Sequence, residues 1–398
     1  MKRIYIAGTA DTKGAEMLFL KSVVAAAGAS SVLVDVGTRA CPIGVDIAAG
    51  VVARAHPLGA DAVLGSDDRG AAVSAMTEAF RNFVPSRTDL DGIIGLGGSG
   101  GTAIVTAGMR ELRSGIPKIM VSTLASGDVS PYVGVSDIMM VPSITDLAGL
   151  NDISRVILAQ AGAAVVAMAS APSQAGSGKP AVGLTMFGVT TQAVTQIVER
   201  LDHDNECLVF HATGTGGRTM EKLAGSGMLS GILDITTTEI CDLLFGGVLP
   251  AGEDRLDVVA TPRLPYLGSA GALDMINFWA PDTVPADFRD RLSYHHNANV
   301  TLVRTTIAEC RALGRWIGGK LNECDGQVRF LIPEKGVSAL DIEGGPFFDP
   351  DADAALFEAI EDAVDWSDRR RLVRLACHIN DPEFADAVAA HWYQIAQG

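Results

Sequence analysis

Four loops of this sequence carry residue types that bind anions, and each follows a short apolar run typical of a β-strand. The first loop, residues 8–14, supplies two hydroxyls, a carboxylate and an ammonium from Thr9, Thr12, Asp11 and Lys13. We expect Lys13 to contact phosphate as a point charge. We expect Asp11 to hold Mg²⁺, directly or through water. A polar turn in which Asp11 or a threonine caps the next helix is the structural alternative.

The second loop has five glycines between residues 95 and 101. Glycine lets the backbone approach an anion closely, and free N–H groups at the following helix start then bind it. The glycines fit a G-x-G-x-x-G pattern, but the next strand ends Val121-Ser122-Thr123, without the acidic residue that a dinucleotide site requires. We therefore predict a phosphate or carboxylate site rather than an NAD site, with a purely structural turn as the alternative. The predicted contacts are Gly97, Gly98, Ser99, Gly100, Gly101 and Thr102.

Two further loops add hydroxyls, a histidine and an arginine. Ser126 lies in the third loop, which an ordinary turn explains equally well. The fourth combines His211 with a glycine run and Arg218, whose guanidinium suits bidentate binding of carboxylate or phosphate. His211 is a candidate acid or base, or else a hydrogen-bonded structural histidine, and Glu221 is a second candidate for proton transfer. The predicted ligand contacts of the fourth loop are Gly214, Thr215, Gly216 and Gly217.

The segments around these loops alternate between short apolar strands and longer helical patterns, which is typical of a parallel sheet with crossover helices. Residues 172–180 contain no large apolar side chain and are predicted to link two domains. We predict a nucleotide-binding domain over 1–171 and a second domain over 181–398, both Rossmann-like α/β domains with mainly parallel sheets, and an interdomain cleft. The predicted strands are 4–7, 32–36, 92–95, 118–122, 137–141, 181–186, 207–211, 300–303, 328–332 and 372–379.

Composition restricts the class and location of the protein. A net charge of −16 over 398 residues disfavours a nucleic-acid partner. The six cysteines are widely spaced, as in a reduced cytosolic protein. The alanine-rich segment 153–171 contains Arg155 and Gln160 and fits a buried helix better than a membrane span. Because the N-terminus shows no signal-peptide pattern, we predict a cytoplasmic protein without a membrane partner.

Two motif-like segments fail their tests. Residues 176–179 resemble the end of a Walker A loop, but Ser173 stands where its first glycine belongs and Pro180 where its Ser or Thr belongs. The alternating aspartates at 349–353 imitate a calcium loop, but Ala354 and Ile360 replace its glycine and its bidentate acid. We interpret the first as linker and reject an EF-hand for the second.

At these loops the sequence resembles the Tm-one-like family of bacterial and fungal proteins. That family is homologous to the N-terminal ATP-binding region of the tomato mosaic virus resistance protein. The resemblance rests on residues 8–14, 95–102, 185–191 and 211–218, in that order along the chain. It implies two Rossmann-like domains, ATP binding chiefly in the first, and self-association as a homodimer or higher homo-oligomer. The plant protein also has a C-terminal barrel, which we expect to be absent from this chain and, as a hypothesis, to be supplied by a separately encoded partner protein.

The leading hypothesis is that this cytosolic protein binds ATP with Mg²⁺. Whether it is also an enzyme that acts on a small anionic metabolite is not decided by the sequence. In it, residues 97–102 hold the phosphates, and His211, Glu221 and Arg218 are candidate catalytic groups. A non-catalytic, nucleotide-regulated interaction module is one alternative. A hydrolase or lyase that acts on a small carboxylate without ATP is another.

Overall fold

The structure is a computed structural model that describes residues 2–172, 176, 178–260 and 264–396. The chain divides into two compact units, Met1–Gln174 and Ala175–Gly398. Residues 173–175 and 177 of the predicted linker lie outside the described residues. Each unit is an α/β domain with a parallel sheet flanked by helices, which confirms the predicted fold class.

Unit 1 contains a five-stranded parallel sheet in the order β2-β1-β3-β4-β5. Its strands are β1 (Arg3–Gly8), β2 (Ser30–Asp35), β3 (Gly92–Gly97), β4 (Lys118–Ser122) and β5 (Met139–Pro142). Its helices are α1 (Ala10–Ala26), α2 (Ala49–Ala53), α3 (Ala60–Leu64), α4 (Arg69–Phe83), α5 (Ser99–Glu111), α6 (Ser130–Val133) and α7 (Asp152–Ser170).

Strand β1 shows why the strands of unit 1 are continuous apolar segments instead of alternating between apolar and polar residues. Its residues Ile4 and Ile6 enter one core cluster, and Tyr5 and Ala7 enter another on the opposite face of the sheet. Helices cover both faces of a parallel sheet, so both sets of side chains are buried. Because all five strands are parallel, their carboxyl ends lie at one edge of the sheet, where loops are free to vary.

Helix α7 is, within the described residues, the one helix long and apolar enough to pass a length-and-composition test for a membrane span. It packs on α1, β3 and β4, and Leu158 and Val165 are fully buried there. Asn151 caps it, and the Asn151 side chain accepts a hydrogen bond from the Ser154 backbone N–H at 2.9 Å. Ile153 and Val156 are exposed, so one face of the helix packs in the core of unit 1 and the other does not.

Unit 2 contains a six-stranded parallel sheet in the order β14-β13-β9-β8-β6-β7 and a three-stranded antiparallel sheet in the order β10-β12-β11. The strands are β6 (Ala181–Met186), β7 (Glu206–His211), β8 (Gly231–Thr236), β9 (Tyr266–Gly271), β10 (Met275–Phe278), β11 (Ser293–Asn297), β12 (Val300–Arg304), β13 (Val328–Pro333) and β14 (Arg370–Leu375). The helices are α8 (Thr191–Leu201), α9 (Thr215–Gly225), α10 (Thr238–Phe245), α11 (Ile307–Asn322), α12 (Pro350–Ala363) and α13 (Pro382–Ile395).

Strands β8 to β11 and helices α10 to α12 are not predicted from the sequence. Strand β8 is fully buried but carries Asp234 in its middle, and a charged residue breaks the apolar run by which a buried strand is recognised. Asp349, examined above as the start of a calcium loop, is instead the N-cap of α12. Its carboxylate accepts a hydrogen bond from the Ala352 N–H at 3.1 Å.

Candidate functional site

The first two glycine-containing loops meet at one pocket in unit 1. The strand order reverses between β1 and β3, and open parallel sheets bind ligands at such a switch point, beyond the carboxyl ends of the strands. A pocket of about 260 Å³ lies there. The predicted residues that line it are Thr9, Asp11, Thr12, Lys13, Gly98, Ser99, Gly100 and Gly101. The structure thus brings together the groups assigned to phosphate and magnesium.

The start of α5 presents unpaired backbone donors to this pocket. Gly98 precedes the helix and provides no side-chain cap, and the first intrahelical bond is donated by Thr102 N–H to the Gly98 carbonyl at 2.8 Å. Within the described residues, the N–H groups of Ser99, Gly100 and Gly101 form no hydrogen bond. A helix N-terminus with free N–H groups and a positive dipole end is a ready anion-binding site.

The glycines of this loop serve two different purposes. At Gly97 a Cβ atom would lie 2.9 Å from the Gly101 Cα, so packing alone requires glycine there. At Gly98 and Gly100 the nearest atoms to a Cβ would be 3.8 Å and 3.6 Å away, on Thr123 and Val73, and neither residue has a positive φ. No contact within unit 1 explains these two glycines, whereas close approach of a ligand does.

Thr102 and Ser126, also predicted to contact the ligand, do not line the pocket. Thr102 is buried, and its hydroxyl is 2.7 Å from that of Ser122 on β4, so it joins α5 to the sheet. Ser126 lies in the exposed turn after β4. Their predicted contact with a ligand stays a prediction.

Two arginines that the sequence analysis missed also line the pocket. Arg39 follows β2, and Arg69 is the first residue of α4. Neither forms an ion pair or a side-chain hydrogen bond within the described residues, although the chain is strongly acidic. The third cation, Lys13, donates a hydrogen bond to the Leu147 carbonyl and pairs with no carboxylate among the residues that the structure describes. Arg39 lies in a loop after a predicted strand, so the rule that ligands bind beyond the carboxyl ends of strands could have identified it. No pattern in the sequence indicated Arg69.

Two carboxylates approach each other at the rim of the pocket. Asp35 Oδ1 accepts hydrogen bonds from the N–H groups of Ala10 at 2.9 Å and Gly37 at 2.8 Å, so it occupies the start of α1. Burial, together with the charge of Asp11, raises the pKa of Asp35 despite these bonds. Asp11 Oδ1 is buried and lacks a hydrogen-bond partner among the described residues. A buried, unpartnered carboxylate oxygen beside an anion site fits a divalent cation.

The glycine loop of unit 2 is filled by the chain itself. Glu239, from α10, accepts a hydrogen bond from the Gly214 N–H at 2.7 Å. A Cβ at Gly217 would lie 1.9 Å from the Glu239 carboxylate, and one at Gly216 would lie 1.8 Å from the His211 carbonyl. Gly214 has a φ of +76°, which favours glycine. These glycines therefore have packing and backbone reasons, and the anion at the start of α9 is a protein carboxylate.

Glu221 belongs to a buried ion-pair network rather than to an open surface. The Arg255 guanidinium lies 2.6 Å from Glu221, 2.7 Å from Asp234 and 2.7 Å from Glu239. Burial raises the pKa of Glu221 to about 6, although the charge of Arg255 opposes the shift. Tyr266 adds a hydrogen bond to Asp234 at 3.0 Å. Arg255 is thus the centre of the network, which the sequence analysis did not identify.

The other residues of the fourth loop lie at the surface of unit 2. His211 ends the edge strand β7, and its ring lies 5.3 Å from that of Phe187. Arg218 and Thr215 are exposed on α9. Within the described residues, no hydrogen bond or ion pair joins His211, Arg218 and Glu221. Their grouping as catalytic residues stays a prediction.

Unit 2 holds a second buried charge cluster, at the carboxyl ends of β9 and β13. Arg304 lies 2.7 Å from Asp353 and 3.9 Å from Asp341, and Ser338 donates to Asp274 at 2.7 Å. Burial and the charge of Asp341 raise the pKa of Asp274 to about 7 and that of Asp353 to about 8, while Arg304 opposes both shifts. No group of three or more His, Cys, Asp or Glu within the described residues is arranged to hold a metal ion. We interpret the cluster as a proton-binding one.

Family comparisons agree with the two-unit division. The family described as "Uncharacterised protein family (UPF0261) N-terminal domain" matches residues 2–174, and the corresponding C-terminal domain matches residues 179–396. The chain belongs to the UPF0261 family. A UPF0261 protein of Rhizobium meliloti is 66% identical over 100% of both chains. One of Clostridium tetani is 44% identical and covers 98% of this chain and 97% of its own.

The similarity to the tomato protein is also confirmed. The ToMV resistance protein Tm-1(GCR237) of Solanum lycopersicum is 40% identical over 99% of this UPF0261 chain, which spans 56% of the tomato protein. Among solved structures, a UDP-N-acetylglucosamine 2-epimerase from Rickettsia bellii is 11% identical and covers 100% of this chain and 96% of its own. Its TM-score of 0.23 is too low to support any inference. The UPF0261 assignment itself specifies no ligand.

Proposed function

We propose that unit 1 binds the phosphate groups of a nucleotide, ATP with Mg²⁺, at the pocket between the β1 and β3 loops. The observation that supports this proposal is the open start of α5. The starts of α1 and α9 are occupied by Asp35 and Glu239 of the same chain. The start of α5 has three N–H groups without a partner in the described residues. An anion from outside the chain is the group that would satisfy them.

The charges around the pocket support the same proposal. Lys13, Arg39 and Arg69 surround it, and the chain otherwise carries an excess of acidic residues. Arginine matches the oxygens of phosphate in a bidentate manner, and lysine adds a point charge. Asp11 would hold Mg²⁺ through its unpartnered oxygen, with phosphate oxygens and water as the remaining ligands. The ion would neutralise phosphate charge; this chain supplies the orientation.

The size of the pocket bears on the choice between a nucleotide and a small carboxylate. A volume of about 260 Å³ lies below the range of about 300–1,000 Å³ that is usual for pockets that bind organic ligands. A neighbouring cavity of about 350 Å³ shares Thr38 and Arg39 with it and is also lined by Asp35, at the end of β2, and by Leu64 of α3. The two together have room for a nucleotide. A small acid would need only the first, and this remains the second candidate ligand.

Thermal unfolding with ATP, ADP, inorganic phosphate and small carboxylic acids, each with and without Mg²⁺, tests the proposal. A ligand at about 100 times its Kd stabilises the folded state by about 2.7 kcal/mol. We expect ATP to raise the Tm of the wild-type chain and Gly98→Val to abolish the increase. Valine suits this position because Gly98 has φ −81° and ψ −159°, a β-region conformation.

Gly44→Val is the matched control. Gly44 is an exposed loop glycine of unit 1, outside the pocket, and a Cβ there has no atom within 4 Å. It should bind as wild type. An absence of any response to nucleotides would overturn the proposed function. Unchanged affinity in both Gly98→Val and Lys13→Ala would instead overturn the site.

A turnover assay on the same protein decides whether the bound nucleotide is consumed or only stabilises one arrangement of the chain.

We also propose a cytoplasmic location. The six cysteines are all free, and buried thiols persist in a reducing compartment.

A further inference from the structure

A cavity of about 500 Å³ lies in unit 2, at the edge of the six-stranded sheet where its strands begin. Its walls are residues that precede β8, β9, β13 and β14, together with the end of α13. This volume falls within the range of about 300–1,000 Å³ that is usual for pockets that bind small organic molecules. The cavity is separate from the nucleotide site proposed for unit 1, since every residue of its lining belongs to unit 2.

Two opposite charges line this cavity without neutralising each other. Arg369 directly precedes β14, and Asp325 lies three residues before β13. Within the described residues, neither of these side chains forms an ion pair or a hydrogen bond. Both charges therefore remain available to the charged groups of a ligand, and a guanidinium is suited to bidentate binding of a carboxylate.

A second guanidinium strengthens the positive side of the cavity. Arg329 of β13 is 7% exposed, and its Nη1 donates hydrogen bonds to the carbonyl groups of Val328 at 2.8 Å and Arg369 at 3.3 Å. It has no carboxylate partner in the part of the chain that the structure describes. Burial and the charge of Arg371 lower the pKa of Arg329. Because a buried charge without a counter-ion is costly, an anion bound at Arg369 would stabilise Arg329 as well.

The negative side of the cavity combines Asp325 with the end of α13. This helix ends at Ile395, and Ile395 and Ala396 line the cavity. The last carbonyl groups of a helix have no intrahelical partner and carry partial negative charge, which favours a cation. Ser230 and Gln327 add a hydroxyl and an amide to the lining, and neither side chain is hydrogen-bonded to another described residue.

We propose that this cavity binds a free α-amino acid, whose carboxylate pairs with Arg369 and whose ammonium group pairs with Asp325 near the end of α13. A zwitterion satisfies both charges of the cavity at once, whereas a simple acid or a simple amine leaves one of them unpaired. Pro265 and Ile395 give the side chain of the ligand an apolar wall. The proposal is independent of the nucleotide site in unit 1.

Titration calorimetry of the intact protein with a panel of the common L-amino acids tests the proposal. The amino acid that binds with the lowest Kd is then compared with two matched ligands, the carboxylic acid that lacks its ammonium group and the amine that lacks its carboxylate. We expect each of these to bind at least about tenfold more weakly than the amino acid, because each loses one of the two charged contacts.

Arg369→Gln and Asp325→Asn each remove one charge from the cavity and should each raise the Kd of that amino acid at least about tenfold. Arg311→Gln and Glu323→Gln are the matched controls, because both residues are exposed in unit 2 and lie outside the cavity lining. The two controls should bind the amino acid as the wild type does. Circular dichroism and thermal unfolding without ligand verify that all four variants fold.

Three results would each overturn the proposal. The first is the absence of binding by every amino acid of the panel. The second is a carboxylic acid that binds as tightly as the corresponding amino acid, which would leave Asp325 without a role in binding. The third is an unchanged Kd in both Arg369→Gln and Asp325→Asn, which would place the amino acid elsewhere on the chain.

Discussion

Glu239 accepts a hydrogen bond from the backbone N–H of Gly214 at 2.7 Å, so a carboxylate of the chain lies at the start of α9. In unit 1, Asp35 does the same for Ala10 at the start of α1. The start of α5, after Gly98, has no such internal anion within the described residues. Of these three strand-to-helix turns, the one before α5 is thus the turn at which no carboxylate of the described residues lies at the helix start, and this makes it the candidate anion site.

Arg255→Met should destabilise unit 2 strongly. The substitution leaves the buried carboxyls of Glu221, Asp234 and Glu239 without their shared guanidinium. Breaking a buried ion pair from one side costs about 3–5 kcal/mol. Urea unfolding followed by circular dichroism measures the loss. Arg371→Met removes an exposed pair with Asp368 and should change the free energy of unfolding by less than about 1 kcal/mol; equal effects of the two would contradict the assigned role of the network.

The free energy of unfolding should fall as the pH rises toward 8. The pKa of Asp274 is about 7 and that of Asp353 about 8 in the folded chain, against about 3.9 when unfolded. The folded state therefore binds more protons than the unfolded state between about pH 4 and pH 8, and stability is lost as they dissociate. Arg304 balances only part of the resulting negative charge.

Urea unfolding at pH 5.5 and pH 8.5, at constant ionic strength, measures this loss, which we expect to be at least about 1.4 kcal/mol, the equivalent of one pKa unit. Asp353→Asn removes one titrating group and keeps an acceptor for Arg304, so the pH dependence should become shallower. A variant with the wild-type slope would show that the loss originates elsewhere.

Asp11→Asn should remove the effect of magnesium without removing binding. The unpartnered Asp11 oxygen is the group assigned to Mg²⁺, and an amide is a much poorer ligand for it. We expect ATP alone to raise the Tm of Asp11→Asn as it does the wild type, and added Mg²⁺ to give no further increase. The assignment of Asp11 fails if the magnesium-dependent increment persists.

Arg69→Ala should weaken ATP binding by about 1.5–3 kcal/mol, the usual contribution of a hydrogen bond to a charged group. Arg69 lines the pocket and has no ion-pair partner within the described residues, so its loss costs little in folding. Arg113→Ala is the control, because Arg113 is exposed on unit 1 and lies outside the pocket lining. Titration calorimetry at fixed salt compares the two; equal affinities would remove Arg69 from the site.

The sequence by itself determined the α/β class and the strands of unit 1, because buried parallel strands are continuous apolar runs between turns. It also placed Lys13 and Gly98, which line the pocket of unit 1, in loops that follow predicted strands. The missed strand β8 shows the limit of that reasoning. Asp234 interrupts its apolar run, and its burial is stabilised by the charge of Arg255, twenty-one residues away in the chain, and by hydrogen bonds from Tyr266 and Thr185.

Tertiary structure alone decided which glycine loop is open. Gly98–Gly101 and Gly214–Gly217 are nearly equivalent as sequences, and each precedes or begins a helix. The difference comes from Glu239, which is distant in sequence from Gly214 and reaches it only through the packing of α10. A helix start binds whichever anion is held nearest, and proximity between residues of separate elements is a property of the folded chain.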